Sequence, residues 1–184
     1  MILGIAGTLG AGKGTVTDYL ITKGFEQYAV SDTFLRNEAL ARGMEPDRKA
    51  RHDIANEYRA MGPTKLMEAV YEMARPAVEA GKDVVIDPQH SPGEVAFIQS
   101  LGGKVIGVDA DLRTRYDRIW ARGGEKDKVS FEEFKAFEEL EMNPTETTTN
   151  DLAGAIRAAD IVIMNDGTLE ELHAKIDEAL AKLA

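Results

Sequence analysis

A chain of 184 residues with a hydrophobic fraction of 43% is long enough for one domain with a proper core, and no apolar run approaches the ~20 residues of a membrane span. Its formal net charge of −10 argues against a nucleic-acid binder, which usually carries a basic face. Because the sequence contains no cysteine, disulfides and thiolate metal sites are excluded.

The first segment predicts a strand, a glycine-rich loop and a helix. Ile2 to Ala6 is apolar, the loop Gly7 to Thr15 reads GTLGAGKGT, and Val16 to Ile21 is amphipathic. Glycines let the loop N–H groups turn inward and join the positive helix end in a cradle for phosphate oxygens. Lys13 adds a charge that reaches the β- and γ-phosphates. The segment therefore has the context of a Walker A P-loop.

This start also lacks the basic leader of a signal peptide, and the loop follows the apolar run at once. We therefore expect a cytoplasmic protein. The nucleotide-phosphate ligands that the loop predicts are Gly10, Ala11, Gly12, Lys13, Gly14 and Thr15. Gly14 departs from the common pattern, because many P-loops carry the Ser or Thr that binds magnesium at this position.

A second strand and a long helical segment follow. Phe25 to Val30 predicts the strand, and Ser31 or Asp32 is expected to cap the next helix. Helical periodicity continues to about residue 80, with one break at Gly62-Pro63. We therefore predict a helical insertion over about residues 32–80. Within it, the spacing of residues 52, 56 and 59 places His52, Asn56 and Arg59 on one helix face, which lines a pocket or is simply solvated.

The third strand, Asp83 to Asp87, ends in a carboxylate, and a helix with a capping box is predicted from Ser91 to Glu94. Lys104 to Asp109 predicts the fourth strand and Leu112 to Arg122 the next helix. In that helix the spacing places Arg115, Arg118 and Arg122 on one face, which either contacts phosphate or forms surface salt bridges.

The last part predicts a helix from Phe131 to Met142, a polar loop over 143–149, a fifth strand over Ile161 to Met164 and a closing helix over Thr168 to Leu183. Asn165 and Gly167 suit a tight strand-to-helix turn. Five apolar strands that alternate with helices predict one α/β domain, residues 1–184, with a parallel sheet covered on both faces.

These motifs carry a resemblance to small P-loop kinases. The Gly-Lys-Gly-Thr of the loop and the segment Ser31 to Arg36 resemble nucleoside monophosphate kinases of the adenylate kinase type. The second half is similar to dephospho-CoA kinase. This resemblance covers the strand to Asp109, the helix Leu112 to Arg122, Phe131 to Phe134, and Ile161 to Gly167 with the closing helix. The resemblance implies a P-loop NTPase fold with strand order 2-3-1-4-5, ATP and Mg²⁺ as cofactors, and a short lid over about residues 122–132.

The resemblance also implies roles for single residues. The acceptor ligands would be Asp32, Arg36, Arg59, Gln89 and His90. Lys13, Asp32, Arg118 and Arg122 would act in catalysis, and Arg118, Asn165 and Gly167 would lie beside the ATP. Thr15 and Asp87 would act on Mg²⁺ through water. His90 stands where related kinases commonly place an arginine.

The implied reaction is transfer of the γ-phosphoryl group of ATP to a nucleoside or deoxynucleoside monophosphate, in a nucleotide-metabolism enzyme that is a monomer or homodimer. One alternative is a dephospho-CoA kinase, in which Asp32 is the base for a sugar hydroxyl. A second is a nucleotide-binding regulatory ATPase without an acceptor. No nucleic acid and no membrane is expected as a partner.

Overall fold

The computed structural model describes residues 1–123, 129–142 and 151–184. Its five parallel strands are β1 (Ile2–Gly7), β2 (Glu26–Ala29), β3 (Val84–Gln89), β4 (Lys104–Asp109) and β5 (Ile161–Met164). They form one sheet in the order β2-β3-β1-β4-β5. The predicted α/β class and strand order are therefore confirmed.

Helices connect the strands in the part of the chain that the structure describes. They are α1 (Lys13–Thr22), α2 (Arg36–Ala41), α3 (Arg48–Met61), α4 (Lys65–Glu79), α5 (Pro92–Ser100), α6 (Leu112–Arg122), α7 (Phe131–Met142), α8 (Leu152–Ala158) and α9 (Leu169–Leu183). A π-helical segment, Val30–Leu35, precedes α2. None of the helices in the described ranges is long and apolar enough to cross a membrane.

The sheet has a buried apolar layer on each face. Leu3 and Ile5 of β1 pack with α1 and α9 in one layer, whereas Ala6 and the neighbouring Ile86 pack with α3, α4, α5 and α8 in the other. This division follows from the alternation of side chains along a strand. Because all strands are parallel, their carboxyl ends lie at one edge, where ligands bind in open α/β sheets.

Three sequence-based expectations about local structure were wrong. The segment after β2 forms a π-helix without a side-chain cap from Ser31 or Asp32. Strand β3 continues through Pro88 to Gln89, although the sequence predicted that it ends at Asp87. Helix α8 was missed, because it spans only 7 residues and small residues follow its first leucine; Asp151 caps it.

The helical insertion expected over about residues 32–80 contains α2, α3 and α4. Most of the predicted lid tip falls on residues 124–128, and the predicted polar loop falls on 143–149. Both lie outside the described residues.

Candidate functional site

The glycine-rich loop between β1 and α1 has the backbone shape of a phosphate cradle. Gly7, Gly10 and Gly12 have backbone φ angles of 154°, 80° and 99°, which residues other than glycine rarely adopt. A Cβ at Gly7 would lie 2.2 Å from the Val108 carbonyl oxygen, and one at Gly10 would lie 2.7 Å from that of Arg115. The glycines therefore serve both turn geometry and close packing.

Lys13 begins α1, and its Nζ donates to the carbonyl oxygens of Gly7 and Thr8 at 2.9 Å. The ammonium group thus lies over the loop, where an incoming phosphate would meet it. Gly14 is exposed in the first turn of α1, and a Cβ there would meet nothing within 4 Å. Space alone therefore does not explain why Gly14 replaces the usual Ser or Thr.

Helix α6 forms a wall opposite the loop. A cavity of about 490 Å³ is lined by Leu9, Gly10, Gly12, Lys13, Gly14, Thr15, Arg118, Ile119 and Arg122. Arg118 also lines an adjoining cavity of about 190 Å³ with Asn165 and Gly167. The structure thus brings together the loop and the two arginines and turn residues that the sequence predicted to surround ATP.

One atom of this wall lacks a hydrogen-bond partner within residues 1–123, 129–142 and 151–184. Among the described residues, Nη1 of Arg118 is buried and makes no hydrogen bond. A buried cationic donor without a partner is costly, so an anion bound in the cavity would offset that cost. The orphaned donor, the glycine cradle and Lys13 together fit the triphosphate of ATP.

Asn165 has a structural contact that the sequence did not reveal. Its buried side chain donates from Nδ2 to the Ala11 carbonyl oxygen at 2.8 Å, and its backbone N–H donates to the Asp109 carbonyl oxygen at 2.7 Å. A Cβ on Gly12 would lie 2.4 Å from the same Nδ2 atom. Asn165 therefore holds the loop, in addition to shaping the turn after β5.

Arg115 belongs to the framework and not to the cavity wall. Its Nε donates to the Ala110 carbonyl oxygen at 2.8 Å and lies 3.5 Å from Asp109 Oδ1. Its Nη1 pairs with the buried Glu138 of α7. The Asp109 carboxylate in turn accepts the Thr8 hydroxyl at 2.6 Å. This buried network links the P-loop to the end of β4 and to α7.

Asp87 lies at the carboxyl end of β3 and is 8% exposed. Its Oδ2 accepts the Thr17 hydroxyl at 2.9 Å, and its Oδ1 accepts the Gln27 amide at 3.0 Å. Burial raises the pKa of the Asp87 carboxyl, while the bonds from Gln27 and Thr17 and the charge of Lys13 oppose that rise. Each carboxylate oxygen keeps a lone pair for a water, which fits a role on metal-bound water.

A direct protein cage for a metal is not present in the described ranges, since no group of three or more His, Cys, Asp or Glu side chains there is arranged to hold an ion. Mg²⁺ commonly keeps several waters and binds through substrate phosphates and one or two carboxylates. Asp87 and the hydroxyl of Thr15, which lines the loop cavity, suit such a water-mediated arrangement.

A second cavity, of about 260 Å³, lies between the insertion and the end of β3. It is lined by Val30, Ser31, Leu35, Arg48, Arg51, His52, Ala55, Arg59, Pro88 and His90. We call it the arginine cavity. Its three guanidinium groups come from one face of α3 and create positive charge in a chain whose formal net charge is −10. The cavity therefore suits an anionic ligand.

Arg59 and His90 are held in this cavity by a buried carboxylate of α5. Glu94 is fully buried; its Oε1 accepts from Arg59 Nε at 3.0 Å and its Oε2 from the His90 backbone N–H at 2.6 Å. Burial and the nearby cations Lys13 and Arg59 lower the pKa of His90 to about 3. His90 is therefore a neutral hydrogen-bonding group and not a substitute for an arginine charge.

Other predicted acceptor ligands lie in different environments. Asp32 is exposed and accepts from Arg51 Nη1 at 2.6 Å, so it stands beside the arginine cavity. Arg36 is exposed at the start of α2 and does not line that cavity; its acceptor role stays a prediction.

The placement of Gln89 in the acceptor pocket was wrong. Its side chain is fully buried, and its Nε2 donates to the Ile86 carbonyl oxygen at 2.8 Å. A Cβ on Gly4 would lie 2.6 Å from its Oε1. The extension of β3 through Gln89 explains the error, because the side chain then alternates into the core.

Sequence reasoning missed Thr17 and Gln27, the two donors to Asp87, and the cavity residue Arg48; it left Arg51 off the helix face to which it assigned residues 52, 56 and 59. Thr17 follows Lys13 by one helical turn, a signal that spacing could have given. The arginines recur along α3 at positions 48, 51 and 59, which is a readable helical stripe. Asn56, by contrast, contacts His52 and does not line the cavity.

The comparisons with known proteins show which family the chain belongs to. A family model described as an AAA domain, AAA_18, matches residues 3–145. A UPF0200 protein of Pyrobaculum aerophilum is 32% identical over 187 residues, covering 99% of this chain and 98% of its own. The chain therefore belongs to the UPF0200 family. A UPF0200 protein of Hyperthermus butylicus is 31% identical, covering 100% of this chain and 95% of its own.

Solved structures place the UPF0200 fold among small P-loop kinases. Dephospho-CoA kinase from Campylobacter jejuni has a TM-score of 0.59 at 17% identity, covering 99% of this chain and 96% of its own. Shikimate kinase from Bacteroides thetaiotaomicron has a TM-score of 0.63 at 15% identity, covering 98% of each chain. At this identity the likeness concerns the fold alone, and it confirms the predicted P-loop fold.

Proposed function

We propose that this UPF0200 protein transfers the γ-phosphoryl group of ATP to the phosphate of a nucleoside or deoxynucleoside monophosphate. The observation that carries the proposal is that two candidate anion sites lie at the carboxyl ends of neighbouring parallel strands. The P-loop follows β1 and lines the first cavity, whereas Pro88 and His90 at the end of β3 line the arginine cavity. A donor in the cradle and an acceptor in the cavity would thus adjoin.

The donor side would hold ATP. The loop amides and Lys13 would bind the β- and γ-phosphates, and Arg118 and Arg122 on α6 would neutralise the transferring group. Asn165 and Gly167 would lie beside the base. When bound, Mg²⁺ supplies charge neutralisation on the phosphates. Thr15 and Asp87 would orient its water shell, and Thr17 and Gln27 keep the Asp87 carboxylate in place.

The acceptor side would hold the monophosphate in the arginine cavity. Arg59, fixed by Glu94, and Arg51, paired with Asp32, are the donors with defined orientation. Phosphoryl transfer depends mainly on positioning and charge neutralisation, so no covalent nucleophile is required. His90 would donate or accept a hydrogen bond as a neutral group. Arg36 is proposed as an outer contact of the acceptor.

A second candidate is transfer to a sugar hydroxyl, as in a dephospho-CoA kinase. The observation that favours it is the position of Asp32, whose carboxylate is exposed beside the arginine cavity and 2.6 Å from Arg51. A carboxylate there is suited to accept the proton of an attacking hydroxyl. The dephospho-CoA kinase of Campylobacter jejuni has a similar fold, although that likeness alone does not identify a substrate.

The two candidates are separated by ADP release from ATP and Mg²⁺ against a panel of AMP, CMP, UMP, GMP, their deoxy forms, dTMP and dephospho-CoA. A strong rise with one monophosphate supports the proposed function and names its substrate. A rise with dephospho-CoA alone moves the acceptor to a hydroxyl and makes Asp32 its base. A slow rate that no acceptor changes contradicts both and supports a regulatory ATPase.

A further inference from the structure

Glu94 is a fully buried carboxylate that lies just outside the lining of the arginine cavity. From the sequence it is expected to close a capping box with Ser91. Only half of that box is present: the Ser91 hydroxyl accepts from the Glu94 backbone N–H at 3.3 Å. The Glu94 carboxylate turns instead to Arg59 and to the backbone of His90. Helix capping therefore does not account for this side chain.

The two oxygens of Glu94 fix two different residues of the cavity wall. Oε1 accepts from Nε of Arg59, which leaves the Nη groups of that guanidinium on its other edges, and Nη2 lies 3.5 Å from His90 Nδ1. Oε2 accepts from the His90 N–H at 2.6 Å. One carboxylate of α5 thereby joins α3 to the end of β3 at the point where both face the cavity.

The side chains of both Glu94 and Arg59 are largely buried. The Glu94 side chain is 1% exposed and that of Arg59 12%. A buried charge needs its partner, so removing either member leaves the other uncompensated. A buried pair adds little net stability compared with apolar packing, whereas a cavity arginine with a fixed orientation aids the binding of a specific anion.

We propose that Glu94 is a positioning residue for acceptor binding, which aims the Arg59 guanidinium at the anionic group of the acceptor and fixes the backbone of His90 in the cavity wall. The proposal rests on the proposed function in taking the arginine cavity for the acceptor site. It adds that the cavity is organised by a residue that does not touch the ligand. Glu94 would govern acceptor affinity while leaving the affinity for ATP unchanged.

The test uses inorganic phosphate as the probe of the cavity, in full-length protein saturated with AMP-PNP and Mg²⁺ so that the P-loop is occupied. Calorimetry would give the phosphate affinity of the wild type, Glu94→Gln, Arg59→Ala and the double variant. Glu94→Gln keeps the side-chain shape but removes the charge. Glu57→Gln is the matched control, because Glu57 pairs with Arg42 at 2.6 Å on the exposed side of α3.

We expect Glu94→Gln to weaken phosphate binding by at least about tenfold and the control to leave it within about twofold. The affinity for AMP-PNP should stay within about twofold in every variant. The double variant should bind no more weakly than Arg59→Ala within about threefold, because residues that act through one another are not additive.

Three results would overturn the proposal. The first is the absence of a phosphate site in the wild type, and the second is equal phosphate affinity in the wild type and Glu94→Gln. The third is a loss of AMP-PNP affinity in Glu94→Gln as large as the loss of phosphate affinity, which would indicate a general structural role. The panel assay tests the proposed function separately: phosphate binding that depends on Glu94 without any acceptor-dependent ADP release would refute phosphoryl transfer and retain the positioning role.

Discussion

Two buried arginine–glutamate pairs flank the candidate site, and their arginines have different surroundings. Arg59 of α3 keeps one edge on Glu94 and lines the arginine cavity. Arg115 of α6 is bound to the Ala110 carbonyl, Asp109 and Glu138, and reaches the Leu9 carbonyl at 3.5 Å. The first arginine has donors left for a ligand, whereas the second is committed to the framework of the P-loop.

The difference teaches that the role of an arginine in such a site depends on its partners. Arg115 and Arg118 are three residues apart on α6 and share a helical face by spacing. Arg118 has a buried Nη1 without a partner among the described residues and lines both donor-side cavities. Arg115 meets Glu138 of α7 instead. A helical wheel alone does not separate these two roles.

The largest expected effect concerns the charge at the centre of the donor side. Lys13→Ala should lower kcat/KM for phosphoryl transfer by about 10³-fold, because it removes the cation nearest the transferring group. Coupled ADP-release kinetics with the best acceptor of the panel would measure this. Lys23→Ala, an exposed lysine just after α1, is the control. Unchanged kinetics in Lys13→Ala would contradict the assignment of the donor site.

The next effect tests whether Arg115 stabilises the framework of the P-loop. Arg115→Ala should reduce the free energy of unfolding by about 3 kcal/mol, since Glu138 and Asp109 would lose their buried counter-charge. Arg113→Ala on the same helix should cost less, about 1 kcal/mol, because its side chain is exposed and makes a surface pair with Asp117 and contacts with the Tyr116 and Phe131 rings. Urea unfolding would measure both. Equal stability of the two variants would mean that Arg115 is not part of the framework.

A smaller effect follows from the neutral His90. Its pKa is lowered to about 3 in the folded protein, so the unfolded chain, with a pKa near the ordinary ~6.5, binds the extra proton first as the pH falls. The free energy of unfolding therefore keeps the full contribution of the neutral His90 ring above about pH 6.5 and loses it as the pH falls toward 3. Lys13 and Arg59 act on the His90 ring by their charge, Arg48, Arg51 and His52 line the same cavity, and Glu94 accepts from the His90 backbone.

Between pH 7 and pH 5 the wild type should lose about 1 to 2 kcal/mol more unfolding free energy than His90→Gln, which carries no titrating ring. Urea unfolding at the two pH values would give this difference. Identical losses in the two proteins would show that the His90 ring is protonated as easily in the folded state as in the unfolded chain.

Much of the fold could be predicted from the sequence, because its signals are contiguous. The motif GTLGAGKGT follows an apolar strand and opens a helix, so residues 7 to 15 carry their own context. Alternating apolar strands and amphipathic helices gave the parallel sheet. Helix α8 gave no such signal, since Ala153, Gly154 and Ala155 pack closely at its start without a clear periodicity.

The site was harder to predict where distant residues meet. Glu94 and Arg59 are 35 positions apart and lie on different helices, so spacing carries no information about their contact. Gln89 was placed wrongly because the extension of β3 past Pro88 sets which side it faces. Asn165 was expected in a turn, but its bond to the Ala11 carbonyl oxygen depends on the closeness of the P-loop.

The most direct measurement compares Glu94→Gln with Glu138→Gln in two affinities, that for AMP-PNP with Mg²⁺ and that for inorganic phosphate in the AMP-PNP-saturated protein. If one pair serves the acceptor and the other the P-loop, Glu138→Gln should weaken AMP-PNP binding by about fivefold or more and spare phosphate binding. Glu94→Gln should show the opposite pattern. Equal losses of both affinities in both variants would contradict the division of the site into a donor side and an acceptor side.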